Sequence, residues 1–82
     1  MHAKAKGSNA ERELIRLFWS NGWGAVRAAG SGATSYPCPD ILAGKASRSL
    51  AIECKSSGEL NRHLPKQQVE DLVSFARLFG AE

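Results

Sequence analysis

Residues 36–55 read YPCPDILAGKASRSLAIECK, and how this stretch is read decides the fold. Ile41, Leu42 and Ala43 run into Gly44-Lys45-Ala46-Ser47-Arg48, a turn-rich segment, and Leu50, Ala51 and Ile52 run out of it. That is the pattern of two strands joined as a hairpin. Pairing Gly44 with Ser49 around the turn sets Leu42 opposite Ala51 and Asp40 opposite Glu53. Directly opposed residues of an antiparallel pair share a face, with Cβ atoms roughly 4.5–5.5 Å apart. Lys55, two positions beyond Glu53, returns to that face. The other face receives Ile41, Ala43, Leu50, Ile52 and Cys54, a core. Two opposed carboxylates repel, so the hairpin avoids this arrangement unless something positive lies between them.

Working outward, the N-terminal side predicts a helix. Ser8 is a good N-cap with Glu11 at the capping-box spacing. Leu14, Ile15, Leu17 and Phe18 form an apolar stripe that Gly22 ends. Trp23 to Ala29 reads as a strand, with Val26 on one face and Arg27 on the other. Gly30 to Ser35 is a loop, stiffened by Pro37 and Pro39. On the C-terminal side, residues 59–64 are a polar connection. A second helix starts near Pro65, carries Val69, Leu72, Val73, Ala76 and Phe79 at helical spacing, and stops at Gly80. The order is α-β-β-β-α around a mixed, largely antiparallel sheet.

The chain has 82 residues, room for a single domain with a modest core. Apolar surface on Trp19, Trp23 or Phe79 is left without obvious cover, which predicts a homodimer. No apolar run is long enough to span a bilayer, and the first residues do not open a secretory signal. Cys38 and Cys54 fall on opposite faces by parity, so they predict a reduced, intracellular (cytoplasmic) protein rather than a disulfide. The net charge is +3, with Lys4, Lys6, Arg12, Arg16 and Arg27 in the first third, a lean towards an anionic partner such as DNA.

Asp40, Glu53 and Lys55 are the strongest chemical constellation. Opposed carboxylates suit a hard divalent cation such as magnesium, which takes one or two carboxylates, waters and substrate phosphates. The cation makes water a better nucleophile, and a neighbouring ammonium orients it or steadies charge on a phosphate. A solvated, salt-bridged polar face accounts for the same three residues equally well. Glu11 borders the apolar stripe and could reach inwards, although the capping box explains it without chemistry. Ser31, in a glycine-flanked loop, could face a phosphate but reads most simply as loop. Gln68 is a boundary residue of the second helix, and His63 has no His or Cys at metal spacing.

The ordered set Lys6-Gly7, Glu11-Arg12-Glu13-Leu14, Val26 to Ser31, Pro39-Asp40-Ile41, Glu53-Cys54-Lys55 and Phe75-Ala76-Arg77 covers nearly the whole chain. It resembles the archaeal Holliday junction resolvase family, within the restriction-endonuclease-like PD-(D/E)xK nucleases. The resemblance implies a restriction-endonuclease-like α/β core and a homodimer. That dimer cuts opposed strands of a four-way DNA junction by shape, leaving 5′-phosphate and 3′-hydroxyl ends, in recombination and repair. It implies magnesium, with manganese as a substitute, held by Asp40, Glu53 and the backbone carbonyl of Cys54. Lys55 positions the attacking water, and Glu11 binds a second metal or that water. Arg12, Arg27 and Ser31 match positions near the scissile phosphate, and Lys4 and Lys6 add to the DNA-facing charge. Family members continue beyond the Phe-Ala-Arg helix with further strands, whereas this chain stops at Glu82, and His63 stands where tyrosine is common. Two alternatives stay open: a nicking nuclease of the same superfamily, and a basic DNA-binding module without chemistry.

Overall fold

The structure, a computed structural model, describes residues 3–28, 36–54 and 65–82, with side chains from residue 9 onward. Helix α1 (Ala3–Ser20), strands β1 (Gly24–Arg27), β2 (Ile41–Lys45) and β3 (Arg48–Ile52), and helix α2 (Lys66–Phe79) follow in the expected order. The three strands form an antiparallel sheet in the order β1-β2-β3.

The hairpin has the register read from the sequence: Leu42 opposes Ala51 and Gly44 opposes Ser49. Lys45 opposes Arg48, so only Ala46 and Ser47 make the turn. Ala46 takes φ of 54°, a left-handed conformation that costs an L-residue about 1–2 kcal/mol. In β1, Ala25 opposes Ala43 and Arg27 opposes Ile41. Those two alanines are small enough to let α1 approach the sheet. Ala25, Ile41 and Ala43 are the buried core, and Leu14, Ile15, Phe18, Trp23, Ile52 and Cys54 pack against it. Leu17 departs from the expected stripe and is exposed, because α1 presents Leu14, Ile15 and Phe18 to the sheet.

Helix α1 begins earlier than expected. Ser8 lies inside it, so the capping box does not form the N-terminus. Ala3-Lys4-Ala5-Lys6 are strong helix formers, and the run carries the helix past Gly7, whose propensity penalty is only about 1 kcal/mol. The other end is as read. Gly22 at φ of 85° closes a Schellman motif, with Trp23 N–H donating to the Phe18 carbonyl at 2.9 Å and Gly22 N–H to Trp19 at 3.2 Å. This turn swings the chain back into β1. The Trp19 indole N–H then donates to the outward carbonyl of Ala25 at 3.1 Å, satisfying an acceptor on the free edge of the sheet.

Pro65 stands at the N-cap of α2 rather than inside its first turn, and Gly80 at φ of 86° ends the helix. No α2 residue is buried; Val69, Val73 and Phe79 of its apolar stripe remain exposed. After Gly80 the chain meets the outer edge of β3. Glu82 N–H donates to the Ser49 carbonyl at 2.7 Å, and Ala51 N–H donates to the Glu82 carbonyl at 2.9 Å. Those two bonds straddle Leu50 and tie the C-terminal residue to β3, but the three strands themselves are all antiparallel, so among the described residues the sheet is antiparallel rather than mixed. Arg48 reinforces the junction through both Glu82 carboxylate oxygens, at 3.0 and 2.9 Å. Its guanidinium also lies 5.5 Å from the centroid of the Trp23 ring. On the sheet face away from α1, Gly24, Val26, Leu42, Gly44, Ser49 and Phe79 line a shallow apolar depression. Trp19 and Phe79 are exposed as expected, whereas Trp23 is half-buried beneath Phe18 and Arg48.

Candidate active site

The hairpin's open end is where the regular ladder stops. Ile41 and Ile52 are its last pair, one step short of the expected Asp40–Glu53 opposition. Asp40 still joins β1, accepting from Ala28 N–H at 2.8 Å. Towards β3 the pairing shifts, and Asp40 N–H donates to the Ile52 carbonyl at 2.9 Å. The Asp40 carboxylate then takes the place of a backbone acceptor: its Oδ2 accepts from Cys54 N–H at 2.9 Å. The carboxylate therefore holds the end of the hairpin as well as standing at the site. Fully buried Ile41 and Pro39 flank it and fix the backbone from which it projects.

Glu11 reaches the same region from α1. With the helix starting at Ala3, Glu11 is an interior residue, so capping no longer explains it. Its side chain is 17% exposed and accepts from Arg27 Nε at 2.6 Å. Arg27 stands at the end of β1 on the parity of Ala25, the face that meets α1. The sequence contains one clue to this contact, a cation on the core-facing parity of a strand, but pairing with a residue sixteen positions earlier was not legible from it.

The electrostatics tie these groups together. The Cys54 thiol is pushed above its usual range, first by burial and then by the charges of Asp40, Glu11 and Glu53. Of these carboxylates, Asp40 is in direct contact with Cys54 through its Oδ2 on the backbone amide. Among the described residues, no three His, Cys, Asp or Glu side chains stand close enough to hold a metal by themselves. Magnesium does not need three, since one or two carboxylates with waters and substrate phosphates complete its shell. Asp40 and Glu53, hard oxygen donors on neighbouring strand ends, fit that requirement. Arg12 is exposed and donates to Asn9 Oδ1 at 3.0 Å, apart from this cluster's hydrogen bonds. Lys55 and Ser31 lie outside the described residues, as do His63 and the side chains of Lys4 and Lys6. Cys38 and Cys54 are both free thiols.

A family model described as archaeal Holliday junction resolvase (Hjc) matches residues 2–82. The chain is 51% identical over 79 residues to crossover junction endodeoxyribonuclease Hjc of Archaeoglobus fulgidus, covering 96% of this chain and 58% of that protein. It is 37% identical over 81 residues to the Hjc of Methanocaldococcus jannaschii, covering 99% and 57%. Identity to crossover junction endodeoxyribonuclease Hje of Saccharolobus solfataricus is 41% over 73 residues, covering 89% and 54%. The crystal structure of the Archaeoglobus fulgidus Hjc matches this fold with a TM-score of 0.84 at 50% identity, over 90% of this chain and 60% of that one. The chain therefore spans less than two thirds of the length of these relatives. With the carboxylates at the end of the α-β-β-β-α core and a match that runs from residue 2 to residue 82, the chain belongs to the archaeal Holliday junction resolvase family.

Proposed function

We propose that the protein is a magnesium-dependent endonuclease that resolves four-way DNA junctions. The observation that carries this reading is the Asp40 carboxylate at the open end of the hairpin, its Oδ2 on Cys54 N–H beside Glu53, with the Glu11–Arg27 pair on the adjoining strand end. Carboxylates brought to one strand end repel unless positive charge lies among them, and a divalent cation supplies that charge. Asp40 and Glu53 hold the magnesium, for which manganese substitutes, with the Cys54 carbonyl beside them. When bound, the cation supplies Lewis acidity at the phosphate and at the attacking water. Lys55 orients that water, and Arg27, Arg12 and Ser31 meet the phosphate. Water attacks phosphorus, the P–O3′ bond breaks, and the leaving oxygen takes a proton. The products carry 5′-phosphate and 3′-hydroxyl ends.

Two opposed cuts need two sites, so the active species is a homodimer acting on DNA inside the cell. The apolar sheet face around Val26 and Phe79 is surface that a second copy would cover. Among the described residues no helix is long and apolar enough to cross a membrane.

A labelled four-way junction, incubated with the protein with and without magnesium, tests the proposal. Paired nicks that depend on the metal and vanish in Asp40→Asn are expected. Equal cutting of linear duplex would make the enzyme a general nicking nuclease, and binding without cutting would make it a DNA-binding module. Light scattering that reports a monomer during full bilateral cleavage would refute the dimer.

A further inference from the structure

Glu11 sits in two environments at once. Its Oε1 accepts from Arg27 Nε at 2.6 Å, and the residue after Arg27, Ala28, donates its N–H to the Asp40 carbonyl at 2.8 Å, so the pair stands beside the strand end that carries Asp40. Glu11 is mostly withdrawn from solvent at 17% exposure, whereas the Arg27 side chain is 54% exposed. A carboxylate so withdrawn requires a counter-charge. Without a cation the guanidinium supplies it. A divalent cation at Asp40 and Glu53 brings a second positive source to the same carboxylate, and the two compete for it.

We infer that the Glu11–Arg27 pair is an exchangeable latch: it neutralises Glu11 in the metal-free protein, and cation binding releases Arg27 to a DNA phosphate. The inference rests on the nuclease reading above. Arg27 pairs with Ile41, and the next residue, Ala28, bonds the Asp40 backbone. A released guanidinium therefore stays at the rim of the carboxylate cluster, where a phosphate approaching the cation would lie. The planar fork of arginine suits that exchange, because carboxylate and phosphate offer it the same pair of acceptor oxygens. Cation binding and DNA binding then reinforce each other through one side chain, in addition to any direct metal–phosphate contact.

The test is junction affinity in chelator and in calcium for wild type, Glu11→Gln, Arg27→Met and the double variant. In chelator, Glu11→Gln should bind about two- to fivefold tighter than wild type, because the exposed guanidinium is already free. In the Arg27→Met background the same change should do nothing, the signature of coupling between the two residues. Calcium should tighten wild type more than Glu11→Gln. An equal gain from Glu11→Gln with and without Arg27 would reduce the effect to simple charge removal and overturn the latch; so would no gain at all. If Arg27→Met does not fold, calorimetric calcium titrations with and without junction DNA decide. Each ligand should then tighten the other by the same factor in wild type, and by a smaller one in Glu11→Gln. Equal coupling in both proteins overturns the latch. A wild type that binds no junction DNA under either condition overturns the nuclease reading and the latch with it.

Discussion

Replacing Asp40 separates the two tasks its carboxylate performs. Asp40→Ala removes the acceptor of Cys54 N–H, whose 2.9 Å bond holds the end of the hairpin. An unsatisfied buried donor costs about 1–3 kcal/mol. Cys54 is half-buried, so water recovers part of this, and a loss of about 1–2 kcal/mol is expected. For a domain of this size that is a fall in Tm of roughly 5–15 °C. Asp40→Asn keeps an acceptor but not the charge. The bond weakens by about 1 kcal/mol, the difference between charged and neutral hydrogen bonds. Relief of repulsion from the neighbouring carboxylates returns a few tenths to about 1 kcal/mol. The asparagine variant should therefore melt close to wild type in chelator. In magnesium a hundredfold above Kd, wild type alone should gain about 2.7 kcal/mol. Thermal melts of the three proteins with and without metal provide the assay. Asp40→Ala melting with wild type in chelator would refute the structural role. A wild type indifferent to magnesium would remove Asp40 from the metal site.

Ala46→Gly should stabilise the hairpin by about 0.5–1 kcal/mol in chemical denaturation, since glycine relieves the left-handed backbone at some entropic cost. The Glu82 carboxyl is held below its usual range, chiefly by the hydrogen bond from Arg48. Its contribution is therefore complete above the ordinary carboxylate value and is lost as pH falls through the lowered one. Melts between about pH 6 and about pH 2.5 should show an acid limb that Arg48→Met flattens in part. Glu13, held low in the same way by Arg16, contributes to the same limb. In a Cys38→Ser background, iodoacetamide should alkylate Cys54 slowly near about pH 8.5 and faster in Asp40→Asn, which removes one of the charges that raise the thiol. Equal rates would show that burial alone controls it.

The hairpin was legible because its information is local. Alternation of Ile41, Ala43 and Ile52 admits one register that turns them to the core together, and a slip of one residue would turn them all outward; Leu50, expected with them, is only half-buried and stands outside that cluster. The end of α1 and the end of α2 were legible for a similar reason, since Gly22 and Gly80 take without strain the positive φ that closes a helix. Helix α1's start was not. Ser8 satisfies a capping pattern, but helix propensity upstream competes with it, and a pattern cannot say which prevails.

The site divides along the same line. Period two placed Asp40 and Glu53 at the same end of the hairpin, and the family resemblance supplied their expected roles. Three-dimensional packing decided what each carboxylate touches. Asp40 turns to the Cys54 amide because the ladder breaks one residue earlier than the alternation implies. Glu11 meets Arg27 because Ala25 and Ala43 let α1 lie close against β1 and β2. Arg48 likewise joins Trp23 and Glu82, residues 25 positions before it and 34 after it. Backbone periodicity is written in neighbouring residues, whereas contacts between elements depend on how closely and at what angle those elements cross. That angle is a property of the whole core, and no short stretch of this chain encodes it.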